Sequence, residues 1–406
     1  MTDESIDDSY SRAHPLAAWV RLSRGAKALL IARMVNRVGG FSMAFLAVLL
    51  TQELHESVRV AGIIVAAFGL ATIPSRLAGG WLLDQIGARH TILIGLIGCA
   101  ATQLILAGAH STVFAVLGAV GLGLSYELIE PPTQALIAQE SDDRTRPALF
   151  GLLFVSMTVA AVVAGGVAAV VAGWDLRVLF VIDAASCLAC AAVIRGFLPD
   201  AHRRKASLAK PWRDRRLMTI FALTTVFTLI YMITVFGLPL TVVDRHIGLW
   251  VIGVNTAVSA VVAVLAQPLL HVAWLNRRDG FVAMTVGFGV LAAALGVLAL
   301  ASNVVAVLGF GVLGAIAEVL LMSHLYAQAS RLAPPGAAGR YLAVFGVSWG
   351  IATTLAPLVI AATLRVWDGV PLWLGAAVIT AALAVLTPYA GTALRPTSAG
   401  AVAAHD

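Results

Sequence analysis

The sequence is poor in charged residues and in long polar stretches. Asp, Glu, Lys and Arg make up 12% of its 406 residues, whereas hydrophobic residues make up 60%. Soluble domains carry roughly 25% charged residues. The shortage of charge therefore excludes a soluble globular protein and predicts a polytopic membrane protein.

Sequence motifs for ATP-driven or metal-dependent chemistry are also missing. The three cysteines, Cys99, Cys187 and Cys190, lie in apolar segments, and no second pair exists to complete a metal site with Cys187 and Cys190. We interpret them as small packing residues. No Walker-type glycine loop and no cluster of histidines is present. We therefore predict that the chain is not an enzyme and holds no metal or other cofactor.

Twelve apolar segments reach about 20 residues, the length that spans a bilayer. They cover 28–52, 58–82, 91–109, 112–139, 148–172, 177–197, 217–240, 249–271, 281–301, 304–328, 341–364 and 370–388. Residues 1–27 are polar and lack the features of a secretory signal, so the first helix is expected to remain in the mature protein. The basic segment 198–216 divides the spans into two six-helix bundles, 28–197 and 217–388, followed by a tail at 389–406.

Basic residues fall on one side of this predicted topology. The side of the termini receives Arg12, Arg21, Arg24, Lys27, Arg89, Arg144, Arg146, the run from Arg203 to Arg216, Arg277, Arg278, Arg331, Arg340 and Arg395. The opposite loops receive only Arg59, Arg177, Arg245 and Arg365. The positive-inside rule then puts both termini in the cytoplasm. Topology, rather than a nucleic-acid partner, accounts for the net charge of +6. The predominance of arginine over lysine and the alanine and glycine content are compatible with a high-GC bacterium, and the predicted location is a bacterial inner membrane.

The two bundles resemble each other in gross pattern. The fourth and tenth segments both carry acid and are both followed by a basic loop, and AQES from Ala138 corresponds to AQAS from Ala327. This pattern indicates an internal repeat, and transporters often place substrate sites between such repeats. Because each half supplies the other's partner, a single chain is expected to suffice.

Four acids stand inside these segments: Glu127, Glu130, Asp183 and Glu318. Each costs roughly 2.5–3.5 kcal/mol at a bilayer centre, so a function is expected to retain them. A carboxylate in an apolar interior can bind and release a proton or a cationic solute, which favours a solute transporter. Asp183 lies closer to its helix end than the others, and for it we favour a structural hydrogen bond.

The segment GGWLLDQIGARHTIL, from Gly79 to Leu93, stands between the second and third spans. It resembles the loop of the major facilitator superfamily, G-x-L-x-D-R-x-G-R-R/K. The matching residues are Gly80, Leu82, Asp84, Gly87 and Arg89, whereas Gln85 and Ala88 replace two basic residues. In the family, the acid of this loop stabilises the outward-facing state through an arginine and a helix N-terminus of the opposite half. The resemblance implies such a latch at Asp84, with Arg89 assisting.

Within the family, the resemblance is to twelve-helix drug/proton antiporters, the multidrug exporters of the MdtH and LmrP kind. It rests on ARMVNRVGG in the first span, GLGLSYELIEPPTQALI in the fourth, WDLRVLFVIDAASCL, DRRLMTIFALTTVF, and GAIAEVLLMSHLYAQ in the tenth. The fourth span lacks the arginine that many such antiporters use, and the fifth has Gly165-Gly166 without the antiporter Gly-Pro. The resemblance implies a multi-pass transporter of small molecules, energised by protons and working by alternating access.

The resemblance also implies that spans one, four, seven and ten line a central cavity. Glu127 and Glu130 are three residues apart and are expected to share a helix face. Two close carboxylates cannot both ionise cheaply in a low dielectric, so at least one is expected to hold a proton near neutral pH. Arg37 is the predicted countercharge, and Asn36 the predicted hydrogen-bond partner of a substrate or protonated acid. A purely structural pair of Arg37 with either acid remains the alternative.

In the tenth span, Glu318 has no basic neighbour in sequence except His324, six residues on and on another face. Glu318 and Glu130 are the predicted proton or cation sites, with a cross-helix hydrogen bond as the alternative for Glu318. His324 is a candidate titrating group or a structural residue. Aromatic residues that are candidates for an apolar cavity wall are Phe41, Phe45, Tyr126, Tyr231, Phe236, Tyr326 and Trp349.

Four functions remain open at this point. The first is proton-coupled export of amphipathic drugs. The second is proton-coupled transport of a hydrophilic nutrient or metabolite such as a sugar. The third is lipid transport by the same fold. The fourth, a sensor without transport, would need a signalling domain that the short tails do not provide.

Overall fold

The computed structural model describes residues 23–39, 45–46, 48–139, 146–171, 175–199, 209–248, 250–300, 303–334, 336–363 and 369–393. These residues form helices and short connections, with no strand among them. The helices are α1 (Arg24–Gly39), α2 (Val58–Ala107), α3 (Thr112–Tyr126), α4 (Glu130–Gln139), α5 (Arg146–Val171), α6 (Leu176–Phe197), α7 (Arg215–Asp244), α8 (Trp250–Leu265), α9 (Phe281–Leu300), α10 (Val304–Arg331), α11 (Ala338–Thr363) and α12 (Val370–Ala393). Short helical turns lie at Leu49–Glu53, Glu127–Ile129, Pro211–Arg213, Gln267–His271 and Arg277–Gly280.

Helix α2 is two membrane passes joined at Gly87. Its 50 residues would extend about 75 Å if straight, more than twice the hydrocarbon thickness. Gly87 has φ 83°, a conformation that favours glycine, and breaks the helix there. The residues on either side of it, Gly79 and Gly95, both lie against Leu128. The chain therefore folds back at Gly87 and forms a helical hairpin. The sequence predicts a loop at 83–90 between two spans, whereas the structure is helical almost up to Gly87.

The predicted arrangement of twelve membrane helices is confirmed. Ten described helical segments are long and apolar enough to cross a membrane, with α3 and α4 counted together as one of them. Another of the ten, α2, makes two passes. The twelfth pass is α1, whose described part ends at residue 39. Apolar character along these segments explains the match of predicted and observed boundaries, which differ mostly by a few residues. Phe41, residues 200–208 of the segment 198–216, and the tails before residue 23 and after residue 393 lie outside the described residues.

The helices form two bundles, α1–α6 and α7–α12, which we call the N half and the C half. One apolar core belongs to the N half alone. The larger core belongs mainly to the C half, and N-half residues join it from the last turn of α4 and the first turns of α5, such as Ile137, Leu149 and Phe150. We call this end of the molecule, where α4 ends and α5 begins, the closed end.

Glycines allow the two halves to touch at the closed end. A β-carbon at Gly80 of α2 would lie 2.6 Å from the β-carbon of Ala343 in α11. A β-carbon at Gly151 of α5 would lie 2.9 Å from Ser323 Oγ and 3.0 Å from Gln267 Oε1. All three distances are shorter than ordinary contacts of a β-carbon, so a side chain at either glycine would displace its neighbours. Backbones of the N half and the C half therefore approach directly at this end.

Candidate functional site

Two intramembrane acids of the N half are each paired with an arginine. Arg33 of α1 makes an ion pair with Glu130, and its side chain is 8% exposed. Arg76 of α2 lies with Nη1 2.5 Å from Glu127 Oε2, and its side chain is 5% exposed. Both cations are buried, so each carboxylate compensates a charge that would otherwise be costly.

Gln134 of α4 links the two ion pairs. It accepts a hydrogen bond from Arg76 Nη2 at 3.3 Å and donates one from Nε2 to Glu130 Oε2 at 3.2 Å. At the other end, Arg33 Nη1 donates to Asn36 Oδ1 at 3.2 Å. We call these residues the N-half polar network: Arg33, Asn36, Arg76, Glu127, Glu130 and Gln134. It connects α1, α2 and α4 in one polar layer.

Because the fourth span is interrupted, the side chains of Glu127 and Glu130 point in different directions. Residues Glu127–Ile129 form a single 3₁₀ turn between α3 and α4. Pro131 and Pro132 follow in the first turn of α4, where a missing N–H leaves no helical hydrogen bond unmade. The two carboxylates consequently reach different arginines, although they are only three residues apart.

The prediction that Arg37 is the countercharge of these acids is wrong. Its Nη1 donates to the Tyr126 hydroxyl at 3.4 Å. Arg33 lies one helical turn earlier and meets Glu130 instead. Asn36 accepts from Arg33, as above, and donates from Nδ2 to Cys187 Sγ at 3.1 Å. The sequence could not separate Arg33 from Arg37 because the choice depends on the rotation of α1.

Glu318 of α10 is the third acid of the interior, and its surroundings differ. It is partly buried, and the Tyr231 hydroxyl of α7 lies close to its carboxylate. Among the described residues, no arginine, lysine or histidine forms an ion pair with Glu318. Arg37 lies within electrostatic range of Tyr231. A neutral phenol is therefore the direct partner of this carboxylate.

Aromatic rings extend from Tyr231 across the boundary between the halves. Tyr231 meets Trp349 edge to face at 5.4 Å, and Trp349 Nε1 donates to the Tyr326 hydroxyl at 2.9 Å. The Tyr326 ring lies 4.8 Å from Phe154 of the N half and 4.7 Å from Phe345. This aromatic layer, Tyr231, Trp349, Tyr326, Phe345, Phe150 and Phe154, reaches Glu318 through Tyr231, while Tyr326, Phe345 and Phe150 are buried.

The remaining predicted wall residues lie apart from this layer. Tyr126 contacts Phe68 at 6.3 Å, within the N half. Phe236 is 36% exposed, and Phe45 packs against the N-half core. His324 is buried, bonded to Leu320 O at 2.8 Å and Asn276 Oδ1 at 3.1 Å. The structure therefore does not bring His324 into contact with Glu318.

At the closed end, Asp84 of α2 forms an ion pair with Arg340 in the first turn of α11. Gly80, one turn before it, provides the close approach described above. Arg89 donates instead to Arg195 O at 2.7 Å, at the end of α6 in its own half. Of the residues that match the loop pattern, Asp84 therefore contacts the C half, whereas this hydrogen bond of Arg89 lies within the N half.

Asp183 makes a structural hydrogen bond, as the sequence analysis predicted. Gln103 Nε2 donates to Asp183 Oδ2 at 2.5 Å, and the residue is 3% exposed. Cys99, Cys187 and Cys190 are free and buried. No group of three or more His, Cys, Asp or Glu residues suited to a metal occurs in the described part of the chain.

Arg33 and Arg76 are the site residues that the sequence analysis missed. Both stand inside predicted spans, in ARMVNRVGG and IPSRLAGG. A count of intramembrane bases would have found them, because two acids buried in one bundle need compensating charges.

Residues 29–357 match the sequence model of the Major Facilitator Superfamily. The MFS-type transporter YqjV of Bacillus subtilis is 24% identical over 334 residues, which cover 76% of this chain and 78% of YqjV. The multidrug resistance protein MdtH of Cronobacter sakazakii is 26% identical over 268 residues, 63% of this chain and 65% of MdtH.

Two solved structures share the fold at 15% identity. The human organic anion transporter MFSD10 (TETRAN) has a TM-score of 0.70 and covers 92% of this chain and 99% of its own. A bacterial homologue of the iron transporter ferroportin, in an outward-facing state with soaked iron, has a TM-score of 0.71 and covers 91% and 98%. At this identity, both likenesses concern the arrangement of helices.

Proposed function

Since the chain belongs to the major facilitator superfamily of membrane transporters, we propose that it is a proton-coupled secondary transporter that exports amphipathic small molecules. The substrates are cationic or neutral, and transport proceeds by alternating access between the two halves. In this proposal the protein acts as a monomer in a bacterial inner membrane, with both termini in the cytoplasm.

The surroundings of Glu318 carry this proposal. Its carboxylate has a phenol as partner, with no cation paired to it among the described residues. An uncompensated carboxylate in an apolar interior is neutralised at low cost by a proton or by a cationic solute. The two neutralising partners exclude each other, which is the requirement for exchange of a proton against a cation.

The aromatic layer supports an amphipathic substrate. Tyr231 lies beside Glu318, and its ring packs edge to face against Trp349. Cations bind to such faces with about 0.5–2 kcal/mol, and the rings also bury apolar surface of the ligand. A sugar would need several convergent hydrogen-bond donors and acceptors, which this layer supplies less well. The name of the relative MdtH, a multidrug resistance protein, agrees with this choice.

The closed end supports alternating access. Asp84 and Arg340 join the halves there, next to the first turn of α11, whose N-terminal dipole favours a nearby carboxylate. We interpret the structure as a state in which the path to the cytoplasm is shut. Breaking the ion pair would let the halves rock apart at this end and admit substrate from the inside.

Dye transport in proteoliposomes under an imposed pH gradient tests the proposal. We expect gradient-driven movement of ethidium or Hoechst dye by the wild type and its loss in Glu318→Gln. Glu53→Gln is the matched control, because Glu53 lies at the opposite end, with Arg177 Nε 3.7 Å away, and should transport normally. Wild-type protein that moves no dye would contradict the drug substrate. Undiminished coupled transport in Glu318→Gln would contradict the role of Glu318.

A further inference from the structure

Arg76 is the one member of the N-half polar network whose guanidinium also lies against the C half. A β-carbon built at Gly346 of α11 would collide with Arg76 Nε, Cζ and Nη2. The guanidinium is thus held between Glu127 on one side and the bare backbone of α11 on the other. The pair of Arg33 with Glu130 involves N-half helices only.

The contact with α11 shields the arginine of the Arg76–Glu127 pair from water, whereas the Glu127 side chain is 16% exposed. Arg76 is 5% exposed, and its Nε has no hydrogen-bond partner in the described part of the chain. An ion pair that is shielded from water is much stronger than an exposed one, for which the gain falls to about 0–1 kcal/mol. The strength of this pair therefore depends on whether α11 is in place.

We propose that Arg76 couples the two halves: α11 seals the Arg76–Glu127 ion pair while the closed end is shut, and opening that end releases Glu127 to take up a proton. This inference rests on the alternating access of the proposed function. Glu127 takes up this proton from the side on which the closed end opens and returns it to the same side on closing, so it is distinct from the proton that Glu318 exchanges. Glu130, whose pair lies within the N half, undergoes no such change.

The groups around Glu127 agree with a single controlling cation. The charged and titratable side chains that face it come from α1, α2, α3, α4 and α10, and they are Arg33, Arg76, Tyr126, Glu130 and Tyr326. Of these, Arg33 is already paired with Glu130. From α11 the contact is the backbone of Gly346, which brings no charge. Displacing Arg76 therefore leaves Glu127 without its direct counterion.

Two glycines of α11 provide a matched pair of variants. Gly346 and Gly350 lie one helical turn apart and both face α2. A β-carbon at Gly346 meets Arg76, whereas one at Gly350 meets Ile73 Cγ1 at 2.6 Å. Gly346→Ala and Gly350→Ala therefore both disturb packing between α2 and α11, but only Gly346→Ala displaces the arginine.

The test is labelling of purified protein with a hydrophobic carbodiimide, which reacts with protonated carboxyl groups, followed by mass spectrometry to separate Glu127 from Glu130. We expect Gly346→Ala to raise labelling of Glu127 several-fold and to leave Glu130 unchanged. Gly350→Ala should match the wild type at both acids. Equal labelling of Glu127 in the two glycine variants would overturn the inference, because packing alone would then explain it.

A second variant keeps the test decisive if Gly346→Ala does not fold. Asp84→Asn leaves the glycine contacts intact and removes the ion pair at the closed end. It should also raise labelling of Glu127, and absence of any rise would overturn the inference. The measurement needs no substrate. A wild type that moves no dye but shows this labelling pattern would refute the proposed export and support the role of Arg76.

Discussion

Glu127 and Glu130 of the N half and Glu318 of the C half stand at similar positions along the fourth and tenth spans, yet they have different partners. Glu127 and Glu130 are each bound by a buried arginine. Glu318 has the hydroxyl of Tyr231 as its neighbour. In the described structure each paired acid neutralises a buried cation, so its removal would leave that cation without a countercharge. Glu318 neutralises nothing in the described structure and is available to a proton or a solute.

This contrast shows that an intramembrane acid can have either of two explanations. Its energetic cost predicts that something retains it, but that something can be an arginine on a neighbouring helix as readily as a transported ion. Partner identity, rather than depth in the membrane, separates the two cases. The predictions that follow test this separation through stability, conformation and binding.

The largest expected effect is on stability. Glu130→Gln leaves Arg33 buried without a countercharge, and breaking a buried pair in this way costs about 3–5 kcal/mol. Glu318→Gln retains an acceptor for the Tyr231 hydroxyl, so the expected loss is below about 1 kcal/mol. Thermal unfolding of both purified variants in one detergent measures the difference.

The double variant Arg33→Met/Glu130→Leu serves as the control for this comparison. It removes both charges and should recover most of the stability lost in Glu130→Gln, since apolar replacements of buried pairs are often neutral. If Glu318→Gln destabilised the protein as strongly as Glu130→Gln, the contrast between the halves would be wrong.

An intermediate effect is expected at the closed end. Asp84→Asn removes a charge-assisted hydrogen bond to Arg340, a contribution of about 1.5–3 kcal/mol that favours the closed arrangement. Spin labels at His90→Cys and Arg277→Cys, both exposed positions in opposite halves, should report a longer distance population. The native cysteines are buried, which favours labelling at the introduced sites.

Arg89→Gln is the matched variant for the closed end. Arg89 binds the backbone of Arg195 in its own half, so its loss should leave the distance between the labels unchanged. A longer distance in Arg89→Gln, equal to that in Asp84→Asn, would mean that Arg89 also stabilises contact between the halves.

The smallest effect is expected at Tyr231. Tyr231→Phe removes the hydroxyl next to Glu318 but keeps the ring against Trp349. Affinity for a cationic dye should fall by about 1 kcal/mol, roughly fivefold, compared with a near-complete loss in Glu318→Gln. Equilibrium dye binding measures both. Equal losses in the two variants would indicate that the hydroxyl, rather than the carboxylate, is the binding group.

Much of the fold could be predicted from the sequence because bilayer thickness fixes helix length. The twelve spans and the pattern around Asp84 follow from apolar runs and from one loop. The hairpin at Gly87 was harder to predict from the sequence, since helical residues continue almost to the glycine on both sides. The sequence indicated a turn there but not how little chain it needs.

The pairing of charges could not be predicted in the same way. Arg33 and Arg37 stand one turn apart on α1, and which of them meets Glu130 depends on helix rotation and on the break at Glu127–Ile129. Arg76 is far from Glu127 in sequence, and their contact exists because α2 folds back onto α3. Contacts of this kind depend on tertiary packing rather than on spacing along the chain.

Proton release on dye binding tests the role of Glu318 most directly. Adding a cationic dye to lightly buffered, detergent-solubilised wild type near neutral pH should release protons, because the dye replaces the proton on Glu318. Glu318→Gln should release none at the same dye occupancy. Equal proton release from wild type and variant would contradict the account and move the exchange site to another acid.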